Sequence, residues 1–115
     1  MVSITNLRKL ALAFEQAVEK PHFEKTSFRV NKKIFATLDA KKERLVIKLS
    51  LTDQSVFCAF DKNIIYPVAG AWGKQGWTIV ELKKVKPVML KDVLTVSYAM
   101  LRQKNLRRNI NGNEI

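Results

Sequence analysis

Between Phe28 and Leu51 the chain reads FRVNKKIFATLDAKKERLVIKLSL, and its apolar positions recur every second residue. Phe28 and Val30 flank Arg29. Ile34, Ala36 and Leu38 alternate with Phe35, Thr37 and Asp39, and Leu45, Ile47, Leu49 and Leu51 alternate with Val46, Lys48 and Ser50. Successive side chains on a strand point to opposite faces, so this period predicts three strands buried on one face only. The connections, Asn31-Lys32 and Ala40 to Glu43, are too short for a crossover, so neighbouring strands run antiparallel. The expected scaffold is a meander with one wet face and one dry face that other elements must cover.

Helical periodicity governs the flanks. From about Ile4 to Glu19 the residues Leu7, Leu10, Ala11, Phe14 and Val18 share one side, with Arg8, Lys9, Glu15, Gln16 and Glu19 opposite. Ser3 or Thr5 can cap this helix, and Pro21 ends it by pushing Lys20 out of the helical region. A short linker, Pro21 to Lys25, then holds the single histidine, His22. After the meander, Thr52 and Asp53 predict a helix start, running to about Asp61 and burying Val56, Phe57 and Phe60. A short apolar piece from Ile64 to Val68 and a glycine-bearing connection from Ala69 to Gly76 precede an alternating strand, Trp77 to Leu82. Pro87 opens a last helix whose apolar stripe is Leu90, Val93, Leu94, Ser97, Tyr98 and Leu101.

Amphipathic helices around one half-wet antiparallel sheet predict an α+β fold, a two-layer sandwich with the helices on one face. The order is helix, three strands, helix, one or two strands, helix. A chain of 115 residues can bury such a core without metals or disulfides. Residues 1–104 are read as a single domain, and residues 105–115 as a basic and polar tail expected to be disordered. Cys58, the single cysteine, lies in an apolar run and is expected to behave as a small buried hydrophobe. The N-terminus lacks a signal-peptide pattern, and no apolar run approaches the ~20 residues that cross a bilayer. A cytoplasmic location, with no membrane partner, is the expectation.

Charge changes the picture. Twenty-one Lys and Arg oppose ten Asp and Glu, a formal net charge of +11. A surplus of that size suits a polyanionic partner, nucleic acid above all, although a generally cationic soluble surface has the same composition. Chemistry finds less support. One histidine and one cysteine make a poor metal-ligand set, so no metal and no cofactor are expected. Glu15 and Glu19 share a helix face as a solvated pair. The segment GAWGKQG fails as a phosphate loop, because Gly73-Lys74 is followed by Gln75 and leads into a strand. No catalytic residue and no small-molecule substrate emerges, and the chain is read as not an enzyme.

With these segments in order, the chain resembles the MmcQ/YjbR family. The resemblance runs from the first helix to about Lys104 and is carried by FRVNKKIFATL, LVIKLS, GKQGWTIVEL and the Ser97-Tyr98 pair. It implies a compact α+β domain of helix, three strands, helix, two strands and helix, in which Ile64 to Val68 is a strand. It also implies DNA binding through a "double wing" of hairpins, similarity of fold to secretion chaperones and frataxin-like proteins, and no enzymatic activity.

A nucleic acid, DNA by that resemblance, can meet such a fold in two ways. The hairpin turns offer Lys32 and Lys33 at one end of the sheet and Lys41, Lys42 and Arg44 at the other. Alternatively, the wet face offers Arg29, Phe35, Lys48 and Trp77; the family-like inward pattern of Thr78, Val80 and Leu82 turns Trp77 and Ile79 outward. Aromatics among cations on an open sheet suit the bases of a single strand. The same face, apolar at Phe35, Val46, Trp77 and Ile79, suits a homodimer, a protein partner or a covering loop better than it suits stacked bases. Further cations lie at Lys83, Lys84, Lys86, Lys91, Arg102, Lys104, Arg107 and Arg108. Lysines contact phosphates and not base edges, so no sequence specificity is expected.

Overall fold

The computed structural model describes residues 1–113, with side chains through Gln103. Helix α1 spans Ile4–Leu12, and the hydroxyl of Ser3 caps it by accepting the Asn6 amide at 3.1 Å. The residues from Ala13 to Glu19, expected to continue this helix, do otherwise. Phe14 leaves the helix axis to stack on Tyr98 at 4.7 Å, and the Tyr98 hydroxyl donates to the Glu15 carbonyl at 2.6 Å. Gln16 then adopts a left-handed φ of 64°, which a continuing helix cannot accommodate. The residues beyond it, Val18–His22, form strand β1, paired antiparallel with β2 (Lys25–Val30). Pro21 therefore does not stop a helix. It lies in an edge strand, where a missing amide proton costs no ladder bond. The expected linker around His22 is instead the tip of a hairpin, with His22 paired to Lys25.

Strands β2, β3 (Lys33–Asp39) and β4 (Arg44–Lys48) form the expected meander. Asn31 and Lys32 make its first turn with φ of 50° and 68°, the type I′ geometry whose twist matches that of paired strands. The alternation in β3 is broken by a bulge. Phe28 pairs with Ala36 while Arg29 pairs with Ile34, so Phe35 has no opposite number. Phe35 and Ala36 are both fully buried, and Ile34 is displaced to the outer face. Phe35, expected on the wet face, is thus a core residue, held edge-on to the rings of Phe14 (6.2 Å) and Tyr98 (6.1 Å).

The next helix, α2, spans Leu51–Cys58 and is capped by Ser50, not Thr52; the Ser50 hydroxyl accepts the Asp53 amide at 3.1 Å. The changed start alters the face that it buries. Gln54 points inward, whereas Val56 (55% exposed) and Phe60 (68%) face solvent and only Phe57, of the expected three, packs partly on the core. Cys58 is half-buried, and that burial pushes its thiol pKa up. Strand β5 (Ile65–Pro67), the one-turn helix α3 (Ala71–Lys74) and strand β6 (Trp77–Glu81) follow, and α4 spans Pro87–Asn113. The expected tail at 105–115 lies beyond the residues whose side chains are described.

The six strands form one sheet in the order β1-β2-β3-β4-β6-β5, antiparallel throughout. On its inner face Phe28, Ala36, Ile47 and Thr78 make one cross-strand row, and Leu38, Leu45, Val80 and Ile65 lie in the next. Leu90, Val93, Leu94 and Leu101 of α4 close over this face, joined by Leu7 and Ala11 of α1. The result is an α+β, two-layer arrangement that leaves the outer face without a helical layer over its centre.

Candidate functional site

Strand register sorts the outer face into three rows. At the end nearest the Asn31-Lys32 turn lie Arg29, Ile34, Lys48 and Trp77. The middle row is Ser27, Thr37, Val46, Ile79 and Tyr66. At the far end Asp39, Arg44 and Glu81 are paired across their strands, with Lys25 nearby. The first row and part of the middle one form the floor of an open groove of about 970 Å³, walled by Val68, Trp72 and the turn residues Phe23, Lys32 and Lys33.

The cations of the first row are held in place. Ser27 is buried and donates to the Lys20 carbonyl at 2.8 Å, while its oxygen accepts from Nε of Arg29 at 2.9 Å. That bond fixes the Arg29 guanidinium over the groove. Nζ of Lys48 donates to the Gln75 carbonyl and lies 5.3 Å from the centroid of the Trp77 ring, a cation–π distance. Lys32 and Lys33 stand at the open end.

The far row is electrically balanced. Arg44 donates to Glu81 at 3.0 and 3.1 Å, and Lys25 lies 3.9 Å from Asp39. The Glu81 hydrogen bond and charge raise the Arg44 pKa. Partial burial works against charge on Glu81, but hydrogen bonds from Tyr66 and Arg44 outweigh it and hold the carboxyl below the usual range. The same bond to Glu81 pushes the Tyr66 phenol up. Arg44 is thus committed to a carboxylate. Lys41 and Lys42 lie in the turn at the opposite end of β3 from Lys32 and Lys33, ~20 Å away by strand rise, and do not line the groove.

Of the residues singled out in the sequence, the structure brings together Arg29, Lys32, Lys33 and Trp77, with Lys48 packed against the Trp77 ring. It removes Phe35 to the core and leaves Lys41, Lys42 and Arg44 elsewhere. Sequence reasoning missed Phe23, Lys25 and Trp72. Trp72 did carry a signal, since a tryptophan within a glycine-bearing connection has little apolar surface of its own to bury under. Phe23 had none, because no strand period marks the hairpin that displays it.

Glu19 is engaged by Arg8 at 2.8 and 3.1 Å and Glu15 by Arg102 at 3.5 Å, so the two do not face each other as a pair. Among the described residues no group of three or more His, Cys, Asp or Glu side chains converges, and no helix is long and apolar enough to cross a membrane.

The family model described as YjbR matches residues 12–100. The crystal structure of Deinococcus radiodurans protein DR2400, which carries a DUF419 domain, superposes with a TM-score of 0.79 at 21% identity, covering 91% of this chain and 82% of that one. At that identity the likeness shows the shared fold. No curated protein matches the chain.

Proposed function

The chain belongs to the YjbR family, and we propose that it is a non-enzymatic, cytoplasmic nucleic-acid-binding domain that contacts phosphates without reading sequence. The observation that carries this reading is the end of the outer face at the Asn31-Lys32 turn. Arg29, Lys32 and Lys33 converge on one open groove, whereas the far row offsets its cations with Asp39 and Glu81. A net charge of +11 adds long-range attraction for a polyanion, and the family resemblance favours DNA. Such contacts release condensed counterions, so affinity falls linearly with salt on logarithmic axes. Fluorescence anisotropy of labelled DNA across a salt series tests this. A linear fall supports phosphate binding; no binding at low salt removes it.

A second reading, a homodimer or protein-binding module, is favoured by one observation. Phe23 is 94% exposed and Trp72 61% exposed on the same groove. Light scattering across a concentration series decides between them: a stable dimer that Trp77→Glu dissolves supports the protein interface, and a monomer counts against self-association.

A further inference from the structure

Trp72 is an exposed aromatic on an unusually constrained backbone. It belongs to α3, a single helical turn that would by itself hold a side chain poorly. Here the turn is pinned from two sides. The Gly73 carbonyl accepts from Nε2 of the buried Gln54 at 2.9 Å, and the same amide reaches Oγ1 of Thr78 at 3.1 Å. Gly73 itself is pressed against the end of strand β5, so that a Cβ there would fall 1.9 Å from the Val68 carbonyl oxygen. The Trp72 ring, 61% exposed and lining the groove, is thus carried on a fixed backbone.

The ring of Trp77 stands 6.4 Å from that of Trp72 at 66°, backed by Lys48. Two indoles therefore form an angled apolar wall at one side of the groove, with Arg29, Lys32 and Lys33 across its mouth. Among the described residues Glu24, at the rim, is the one carboxylate lining it. A protein partner would be selected by apolar area and shape. A duplex hides its base faces and would leave both indoles idle. Fixed π-faces beside a cationic track match a flexible strand with unpaired bases.

We infer that the groove takes single-stranded DNA, with a base stacked on Trp72 beside Trp77 and its phosphates on Arg29, Lys32 and Lys33. This rests on the nucleic-acid reading above and adds to it the state of the strand and the residue that senses it. The path along β2 spans ~17 Å from turn to turn, room for a few nucleotides.

The protein has two tryptophans, both in this wall, so its entire indole emission reports on the groove. The full chain is titrated with an oligodeoxythymidylate, an abasic oligomer of the same length and a duplex, in low salt. Quenching by the oligodeoxythymidylate, together with tighter binding than the other two probes, is expected. Trp72→Ala should weaken that single-strand affinity on the order of tenfold, leave the abasic oligomer unaffected and be rescued by Trp72→Phe. The side chain is largely exposed, so the variant keeps its fold. If the abasic oligomer or the duplex binds as tightly, or Trp72→Ala is without effect, stacking is overturned while the phosphate reading stands. If no probe binds, both fall. If Trp72→Ala instead changes the oligomeric state and no oligomer quenches, the wall is a self-interface and the inference is overturned.

Discussion

The hydroxyl of Ser97, on α4, lies 3.2 Å from the carbonyl oxygen of Phe35, the residue that the bulge turns out of register in β3. The same hydroxyl is 2.6 Å from the Lys48 carbonyl on the adjacent strand. A single hydroxyl proton is thus shared between backbone oxygens on two strands where the ladder is interrupted, with the shorter contact to Lys48, and ties the last helix to the sheet behind Lys48 and Trp77. Ser97→Ala leaves those oxygens buried without this donor, at a cost of about 1–3 kcal/mol. Chemical denaturation should show that loss with an unchanged slope, and oligonucleotide affinity of the folded variant should stay as in the wild type.

Phe35 and Ile34 offer a sharper contrast. Had the alternation held, Phe35 would face solvent and its truncation would be mild. Buried between Phe14, Tyr98 and the sheet, Phe35→Ala should cost about 3–5 kcal/mol, whereas Ile34→Ala on the outer face should cost far less. Unfolding midpoints of the two variants check the assignment of faces.

The two lysine turns should behave differently. Lys32→Glu with Lys33→Glu is expected to weaken DNA binding strongly and to lower the salt slope by ~0.7 to 0.9 for each phosphate that is no longer neutralised. Lys41→Glu with Lys42→Glu, outside the groove, should change the affinity much less. Anisotropy titrations at several salt concentrations measure both; equal weakening by the two pairs would return the hairpin turns to the role of separate wings.

Glu81 predicts an acid limb. Its folded-state pKa is lowered, so the stabilisation it contributes is present above the unfolded carboxylate pKa, about 4.3, and is lost as pH falls through the lower folded value. Tyr66 works in the opposite sense: its raised pKa means that its contribution is present below the unfolded phenol pKa and lost as pH rises through the folded one. Glu81→Gln should flatten the acid part of a plot of unfolding midpoint against pH and also lower the alkaline onset of Tyr66 ionisation, followed by ultraviolet absorbance.

Gly73→Ala tests the seat of Trp72. Its Cβ would meet the Val68 carbonyl at 1.9 Å, so strand or helix must move. A loss of about 1–3 kcal/mol in stability is expected, with a changed emission spectrum from the tryptophan wall.

The strand and helix patterns were legible wherever burial is regular. The meander, the inward set Thr78, Val80 and Leu82, and the stripe from Leu90 to Leu101 follow from periods of 2 and 3.6, because each element there packs against one broad apolar layer. Charge and family membership were legible too, since both are properties of the residues themselves. The first helix was overextended because Phe14 and Val18 keep helical spacing, while the bond that holds the chain beyond the helix end comes from Tyr98, more than eighty positions away. The cap of α2 was misplaced because Ser50 also continued the alternation of the preceding strand.

What the sequence by itself determined is an antiparallel half-buried sheet, covering helices and a cationic surface, each a consequence of local period or composition. What only the tertiary structure decided is which face each irregular residue serves and which charges are neighbours. A bulge shifts strand parity without altering the residue pattern, so Phe35 exchanged faces with Ile34. Charge neighbourhoods arise from cross-strand register, which placed Arg44 against Glu81 and brought the hairpin of Arg29 and Lys33 to the segment of Trp72 and Trp77, about forty residues further along the chain. No residue period records either outcome, because both are set by strand pairing: the bulge by the register of the β2–β3 hairpin, and the Arg44–Glu81 contact by strands 37 residues apart.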